Sequence, residues 1–391
     1  MGERPISVTH IAMLNLPLSQ SPGFKSQLQS EHEASKQLPR TIKWSTLLIA
    51  PSANAASNYD GFDVPVQRIP RLLKWRILKR LYLWSKVVQA SRESDYVLVR
   101  HSMIDPFEAL VCSARRNIVI VHHTKSGPEL TSSGRKTAGY VERILVWFGK
   151  VTGTRSIGVT RELSNYVQGP KTPRSLQDVF LPNGVQFDLT AGSADRRPTN
   201  PIEAVFVCSR FQEWHGLERL LEAARLQNAS AGDTGREDII FHLIGELTAD
   251  QDSLVDESCG PRVGFIKHGV LDGRGVEEVS ARASLGIGSL ALDVQGMREA
   301  TTLKVREYLR SGLPVYATHQ DAALPQGFPY FRFDSDVSIP AILTFGHQMQ
   351  GVTRMAVREA SRPYTDKAAI MERFVSKLPA AGGNERSKFT R

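Results

Sequence analysis

Two glutamates, Glu299 and Glu307, stand with seven residues between them in the stretch EATTLKVREYLRSGLPVY, residues 299–316. They bracket a Thr-rich bend and the start of an amphipathic helix. A helix N-terminus carries partial positive charge and N–H groups without partners in the helix, so it can receive a phosphate. The carboxylates beside it can accept hydrogen bonds from hydroxyls. The pattern predicts a site for a nucleotide joined to a sugar.

The elements around this stretch are typical of an α/β protein. The order is loop, helix, a glycine stop at Gly312 and a β-branched, aromatic run. Strand-like and helix-like segments alternate through residues 1–190, and the alternation restarts at Ile202 with the strand-like EAVFVCSR. We therefore predict an α/β fold of two tandem Rossmann-like domains, each with a parallel sheet and helices on both faces, and an interdomain cleft.

The expected boundaries follow from shifts in composition. We predict a first domain at 1–190, a linker at 191–201 rich in Ala, Ser, Thr, Asp and Pro, and a second domain at 202–350. Residues 351–391 have a helical pattern, and we expect this C-terminal tail to cross back to the first domain.

Length and cysteine content restrict the class of protein. The 391 residues are too many for one ordinary core. The three cysteines are odd in number and lack metal-ligand spacing, which favours a reducing compartment. The N-terminus does not resemble a signal peptide, and no stretch reaches the ~20 apolar residues of a membrane span. We expect a cytoplasmic protein. Peripheral attachment to the inner face of the membrane is a second possibility that the basic segment described below raises.

The net charge of +9 is unevenly distributed. Residues 1–200 hold 27 Lys/Arg against 15 Asp/Glu, whereas residues 201–350 hold 13 against 21. Residues 68–92 contain eight Lys/Arg and no acid, interspersed with leucines and two tryptophans. This segment predicts either a basic amphipathic helix at an anionic membrane surface or an ordinary packed helix with a solvated basic face. Nucleic acid is a poorer partner because no recognised binding motif accompanies the charge.

Three segments resemble one enzyme family. VFVCSRFQEWHGLERLLEAARL (205–226) resembles the opening of the donor domain of family-4-like glycosyltransferases of the GT-B fold, residues 299–316 resemble their E-x7-E element, and LPNGV (181–185) resembles their hinge motif. The resemblance spans nearly the whole chain and is specific in the second half. It implies an enzyme that transfers a sugar, with retention of anomeric configuration, from a UDP- or GDP-sugar to a saccharide acceptor, with a lipid-linked acceptor expected. Surface polysaccharide or glycolipid biosynthesis would be the setting.

The resemblance also implies roles for residues of the E-x7-E element. Glu307 would bind the ribose hydroxyls, and Glu299 would lie near hydroxyls of the donor sugar. Backbone N–H groups near Thr302, Leu303 and Lys304 would meet the phosphates. Thr302 replaces a proline that is common in the family.

Arg210 and His215 follow a predicted strand at the sheet edge where open α/β folds bind ligands. By resemblance Arg210 would stabilise the leaving diphosphate. His215 stands where the family usually has lysine, and we expect it to supply a weaker, pH-dependent positive charge. The alternative for Arg210 is a surface arginine without a ligand. The alternative for His215 is a residue at the start of a helix that packs against Trp214.

The first half offers fewer candidates. His122 and His123 end the strand-like NIVIVHH, and by resemblance His123 would touch the donor sugar and polarise a hydroxyl. Adjacent strand residues point to opposite faces, so the two histidines are poor joint metal ligands. Gly23, in the loop SPG, matches a glycine-containing loop that approaches the diphosphate or the acceptor.

Several functional alternatives stay open. We assign no Asp-x-Asp pair as a metal motif and identify no carboxylate nucleophile, so we predict a metal-independent enzyme without a cofactor. We expect the nucleotide base near Gly245, Glu246 and residues 263–268. A sugar-nucleotide epimerase of the GT-B shape and a non-catalytic partner subunit are the competing readings. The sequence disfavours a dinucleotide-dependent dehydrogenase, because neither half has a Gly-x-Gly-x-x-Gly turn after its first strand.

Overall fold

The computed structural model describes residues 4–14, 22–51, 62–187, 200–230 and 238–379. The chain divides into two compact units: the first unit comprises Met1–Pro182 and Lys367–Arg391, and the second unit comprises Asn183–Asp366. Each unit has a six-stranded parallel sheet with helices packed on it, and residues Arg354–Thr365 and Lys367–Lys377 of the predicted tail are helical. The predicted α/β class with two Rossmann-like sheets and a helical tail is confirmed. Most of the predicted linker, 191–201, lies outside the described residues.

The first unit is built from six strands and seven helices in the described residues. They are β1 (Ile6–Met13), α1 (Pro22–Ser35), β2 (Ile42–Pro51), β3 (Val66–Ile69), α2 (Arg76–Glu93), β4 (Tyr96–Arg100), α3 (Glu108–Ala114), β5 (Ile118–His122), α4 (Ser126–Ser132), α5 (Lys136–Thr152), β6 (Ser156–Gly158) and α6 (Arg161–Val167), with α13 (Lys367–Lys377) from the end of the chain. The strand order is β3-β2-β1-β4-β5-β6, so the topological switch lies between β2 and β4, at β1.

Apolar residues line both faces of this sheet, as expected for buried parallel strands. In β1, Val8 packs with residues of α6 and α13, whereas Ile11 packs with residues of α2 and α3 on the other face. Right-handed crossovers explain this distribution, because the connections on the two sides of β1 run in opposite directions along the sheet.

The second unit has two sheets. Its elements are β7 (Ile202–Arg210), α7 (Leu217–Ala229), β8 (Ile239–Glu246), α8 (Ala249–Ser258), β9 (Val263–Gly269), α9 (Gly273–Arg282), β10 (Leu285–Ile287), β11 (Glu299–Ala300), α10 (Leu303–Arg310), β12 (Val315–Ala317), β13 (Gln320–Asp321), β14 (Phe331–Phe333), α11 (Ile339–Gln348) and α12 (Arg354–Thr365). The parallel six-stranded sheet has the order β14-β12-β10-β7-β8-β9, and β11 pairs with β13 beside it. Its switch point lies at β7, between β8 and β10.

Arg354 is a buried arginine that joins three elements of the second unit. Its Nη2 donates hydrogen bonds to the carbonyls of Ser280, Ala281 and Ala283 at the end of α9, at 2.9–3.0 Å. Its Nη1 donates to the Ser311 carbonyl after α10 at 2.9 Å. Because the last carbonyls of a helix lack partners within it, one guanidinium caps two helices and holds α12 against them.

The last helix is anchored in the first unit by a buried ion network. The Nζ of Lys367 lies 3.3 Å from the carboxylate of Glu31, and Nδ1 of His10 lies 2.6 Å from it. Burial by itself would raise the pKa of Glu31, but the nearby charges of His10 and Lys367 and the hydrogen bonds from His10 and Trp44 lower it well below its usual range. The carboxylate is therefore ionised, and α13 is bound to α1 through it.

Several elements were not predicted from the sequence pattern. They include the short elements β3, α4, β11, β13 and β14 and the longer elements β9, α8 and α11. Residues 263–268, expected near the nucleotide base, form most of the edge strand β9. None of the helices in the described ranges combines the length and the apolar character needed to cross a membrane.

Candidate functional site

The start of α10 lies at the carboxyl edge of the second unit's sheet. Thr302 immediately precedes the helix, and Leu303 and Lys304 are its first two residues. Glu299 is on β11, paired with β13, whereas Glu307 is on the second turn of α10, where burial raises its pKa. The predicted order of strand, turn and helix is therefore present, and the two glutamates are on different elements that meet at Thr302.

Lys304 contributes a side-chain charge that sequence reasoning missed, because only its backbone N–H was considered. Its Nζ lies 3.1 Å from Sγ of Cys208 and 4.9 Å from the centre of the Phe206 ring, both on β7. Burial raises the pKa of the Cys208 thiol, although the Lys304 charge opposes this. The ammonium is thus held at the sheet edge by a neutral thiol and an aromatic ring. Its charge also acts on the Glu307 carboxyl, whose pKa it lowers, but it forms no ion pair within 4.0 Å among the described residues.

His215 lies beside this ammonium but does not add to its charge. The histidine ends a 3₁₀ turn, Glu213–His215, and its Nδ1 accepts a hydrogen bond from the Gln212 N–H at 2.9 Å. Burial and the nearby Lys304 charge lower the pKa of His215 to about 3. The prediction of a pH-dependent positive charge at His215 is therefore wrong: the imidazole is neutral at physiological pH, and Lys304 carries the charge.

Arg210 is the last residue of β7 and is directed to solvent. Its Nη2 lies 3.6 Å from Oε1 of Glu246, the last residue of β8, and both side chains are more than half exposed. An exposed ion pair of this length contributes little to stability, on the order of 0–1 kcal/mol. The guanidinium can therefore exchange Glu246 for a ligand phosphate at low cost.

The backbone around His215 spans the switch point of the sheet. The Leu290 N–H, just after β10, donates to the His215 carbonyl at 2.9 Å. Gly216 has a φ of 76°, and a Cβ there would lie 2.7 Å from the Leu290 backbone. Glycine is required at this close approach. The contact fixes the 3₁₀ turn between the ends of β7 and β10, where open α/β sheets bind ligands.

Three buried polar atoms near these strand ends have no hydrogen-bond partner in the described part of the chain: Oγ1 of Thr302, Oγ1 of Thr318 and Nε2 of His319. Burial lowers the pKa of His319, and its Nδ1 lies 3.2 Å from the Gln320 carbonyl. If Nδ1 donates there, Nε2 is an acceptor. Buried polar groups are normally paired, so these atoms mark a place where a polar ligand would be bound. Thr318 and His319 were not predicted, because nothing in the sequence links them to α10.

The two candidate histidines of the first unit lie at the end of strand β5. His122 is the last residue of β5 and is buried, and His123 follows it. Burial lowers the pKa of both imidazoles well below the usual range, with the charge of His101 adding to the effect on His122 and the charge of Arg100 to the effect on His123. Nε2 of His123 has no hydrogen-bond partner in the described residues. His123 is therefore a neutral hydrogen-bonding group at the sheet edge.

His101 forms a buried charge cluster with two carboxylates. Its Nδ1 lies 2.8 Å from Glu108 and its Nε2 lies 2.7 Å from Glu142. Burial would lower the pKa of His101, but these carboxylates raise it to about 10. Ser126 also donates to Glu142 at 2.7 Å. Although Ser126, His101 and Glu108 stand in the order of a nucleophilic triad, an imidazole with a pKa of about 10 is protonated at physiological pH and cannot act as a general base there.

The same cluster bears on the question of a metal. Ligand atoms of His101, Glu108 and His122 lie within 4.8 Å of one another. However, both nitrogens of His101 are already paired with carboxylates, and its ring stacks on that of His122 with centres 4.1 Å apart. This arrangement fits an imidazolium better than a metal ligand. Metal independence stays a prediction.

Gly23 occupies another position than expected. It is the second residue of α1 and is exposed, so it belongs to a helix start and not to the preceding loop. That loop, residues 15–21, lies outside the described residues. Gly23 is therefore a helix-start residue and not a loop residue, and its approach to the diphosphate or the acceptor stays a prediction.

Comparisons with known proteins show the fold. No protein-family model matches the sequence, and no curated protein matches it. Among solved structures, a glycosyltransferase of Rickettsia africae covers 96% of this chain and 98% of its own, with a TM-score of 0.58 and 10% identity. The structure of HepE of Anabaena, solved with UDP and glucose, covers 95% of this chain and 98% of its own, with a TM-score of 0.55 and 13% identity.

A third solved structure belongs to another class of enzyme. A Listeria monocytogenes protein described as a candidate UDP-N-acetylglucosamine 2-epimerase covers 95% of each chain, with a TM-score of 0.51 and 13% identity. At these identities the likeness establishes the fold alone. The chain has the GT-B fold, which glycosyltransferases and UDP-sugar epimerases share.

Proposed function

We propose that this protein is a retaining glycosyltransferase of the family-4 type, which transfers a sugar from a nucleoside diphosphate to a saccharide acceptor. The observation that carries the proposal is the start of α10, where a helix N-terminus, the Lys304 ammonium and two glutamates lie at the edge of a parallel sheet. A lipid-linked saccharide is the proposed acceptor, and surface polysaccharide or glycolipid synthesis is the proposed setting.

The proposed roles follow from the charge of each group. The N–H groups of Leu303 and Lys304, at the positive end of α10, would bind the diphosphate together with the Lys304 ammonium. Arg210 would leave Glu246 and contact the same diphosphate. Glu307 would accept hydrogen bonds from the ribose hydroxyls, and Glu299 from hydroxyls of the sugar.

The proposed chemistry is a substitution at the anomeric carbon. The bond from that carbon to the diphosphate oxygen breaks, a bond to the acceptor oxygen forms, and the acceptor proton passes to the departing phosphate. The protein's part is to orient the two substrates and to stabilise the negative charge that develops on the diphosphate. His123 would position a sugar hydroxyl, and neutral His215 would offer hydrogen bonding without charge.

A thermal-stability screen tests the nucleotide site. The full chain is heated with UDP, GDP and their sugars, alongside Glu307→Ala and the control Glu277→Ala, which changes an exposed glutamate of α9. We expect one nucleotide series to raise the melting temperature of the wild type and the control, with no rise for Glu307→Ala. An equal rise in all three proteins would refute the assignment of Glu307.

An epimerase is the second candidate, because the Listeria monocytogenes protein shares the fold. The two functions differ in what happens without an acceptor. An epimerase would convert a UDP-sugar into its epimer, whereas a transferase would leave the sugar attached or release it slowly to water. Nuclear magnetic resonance of the bound donor distinguishes these outcomes. A non-catalytic partner subunit would bind a nucleotide weakly or not at all.

A further inference from the structure

Helix α5 in the first unit has an apolar side that the described residues of the unit do not cover. Of its 17 residues only Gly139 and Glu142 are buried. Its exposed large apolar residues are Tyr140, Val141, Ile144, Trp147 and Phe148. The side chain that α5 contributes to the interior is thus that of a glutamate, paired with His101, while three aromatic rings of the helix are exposed.

The spacing of these residues places them on one side of the helix. Residues 140, 141, 144, 147 and 148 recur at intervals of three and four, so their side chains lie along one stripe. In a helix that packs on its own domain, such a stripe faces the core. Trp147 is 60% exposed here, so the stripe is available to a partner outside the unit.

A second apolar group lies at the start of α2. Its exposed members are Leu72, Trp75, Ile77, Leu78 and Leu81, whereas Leu83, Trp84 and Val87 further along are buried in the core. The basic segment 68–92 is therefore divided. Its second half is an ordinary packed helix, and only its first half presents apolar side chains to solvent.

One loop joins the two helices. Residues 101–107 follow β4, and on one side Arg80 of α2 donates to Ser102 and to the Met103 carbonyl. On the other side Glu142 of α5 accepts from the Ile104 N–H at 2.6 Å. Helix α3 packs against both α2 and α5 and exposes Leu110. The two apolar groups are consequently held on elements fixed to the same loop and the same helix.

The charge around these groups indicates which partner they fit. Segment 68–92 has eight Lys/Arg and no acid, and segment 135–150 has four Lys/Arg and one acid, Glu142, which is buried. Two copies of such a surface would repel each other. An anionic surface with an apolar layer beneath it satisfies both the charges and the exposed aromatic rings.

We propose that α5 and residues 72–81 together form a membrane-docking surface, which binds anionic lipid headgroups and places Trp75 and Trp147 at the boundary of the acyl chains. The surface extends beyond segment 68–92, because α5 supplies half of its apolar side chains. It does not depend on the sugar-transfer proposal.

Vesicle flotation tests this surface. The full chain is mixed with vesicles of pure phosphatidylcholine, or of phosphatidylcholine with about one third phosphatidylglycerol, at low and high salt. We expect binding to the anionic vesicles that weakens with salt. We expect Ile144→Ser/Trp147→Ser and, separately, Trp75→Ser/Leu78→Ser to reduce partitioning about tenfold or more, as the loss of two apolar anchors predicts.

The controls separate insertion from folding and from general stickiness. Leu226→Ser replaces an exposed leucine in the second unit, and should float like the wild type. Circular dichroism verifies that each variant is folded. Brominated lipids should quench tryptophan fluorescence in the wild type, and less in Trp147→Phe. The proposal would be overturned if the wild type did not bind to anionic vesicles, or if Ile144→Ser/Trp147→Ser bound to them as well as the wild type does. If the wild type did not bind, an acidic protein would be the remaining partner.

Discussion

In the first unit, two clusters of charged side chains are buried and paired within themselves. At the sheet edge of the second unit, Arg306 and Asp321 also form a buried pair, but Lys304 and Arg210 belong to no buried ion pair among the described residues. His101 lies between two carboxylates, and Glu31 lies between His10 and Lys367. By contrast, Lys304 rests on a thiol and a ring, and Arg210 is half exposed. Charges that already have partners stabilise a fold, and charges that lack them are available to a ligand. The comparison therefore supports the proposal that the diphosphate binds to the second unit.

The largest expected effect is on the stability of the first unit. Replacing Glu142 with alanine removes one of the two carboxylates of His101 and leaves a buried charge under-compensated. We expect a loss of about 3–5 kcal/mol in the free energy of unfolding. Urea unfolding followed by tryptophan fluorescence measures this, because four of the five tryptophans belong to the first unit. Glu93→Ala, at an exposed position of α2, should stay within about 0.5 kcal/mol of the wild type.

The same cluster predicts a pH dependence. The pKa of His101 is about 10 in the folded protein against an ordinary value of 6.5. Its stabilising contribution is therefore complete below pH 6.5 and is lost as the pH rises towards 10. We expect the free energy of unfolding of the wild type to fall between pH 6.5 and 10. The variant His101→Gln should be less stable than the wild type at low pH, and its stability should change less with pH. Parallel pH curves for the two proteins would contradict a charged His101.

The second unit should respond through ligand binding. Replacing Lys304 with methionine keeps an apolar contact with Phe206 but removes the ammonium. We expect nucleotide diphosphate affinity to fall by about 1.5–3 kcal/mol, as for a hydrogen bond to a charged group, with little loss of stability. Calorimetry with UDP and GDP measures the change. Arg225→Met, at an exposed position of α7, is the matched control; equal affinities for both variants would show that Lys304 does not contact the ligand.

The smallest effect is expected at His215. Its pKa of about 3 keeps the imidazole neutral, so nucleotide affinity should not titrate through this residue between about pH 5.5 and 8. His215→Asn should leave the pH profile of binding unchanged. A transition near pH 6.5 in the wild type that is absent from the variant would restore His215 as a charged ligand group.

The sequence was sufficient to predict the fold class. Long apolar runs such as VFVCS and amphipathic helices such as α7 have clear periodicity, and their alternation predicts parallel sheets. Three-residue strands such as β10 and β12 are too short to show a period, and their pairing depends on neighbours distant in the chain. The strand β12 was predicted within LPVYAT, which overlaps the motif at 299–316, and β10 was predicted from the apolar run IGSLALD.

The site was predictable in part. Glu299, Glu307 and Arg210 were selected because they belong to recognisable segments, and their roles in ligand binding stay predictions. The contact of Lys304 with Cys208 joins residues 96 positions apart, and the neutrality of His215 results from burial. Neither feature is readable from local sequence, and the same holds for the exposed side of α5, which has the periodicity of a core helix.

Hydrogen–deuterium exchange with and without nucleotide tests the central claim most directly. At saturating UDP or GDP, whichever binds, we predict slower amide exchange in peptides covering residues 299–310 and 208–216, and unchanged exchange in peptides covering α5. Protection limited to the first unit, or no protection from either nucleotide, would contradict the assignment of the nucleotide site to the start of α10.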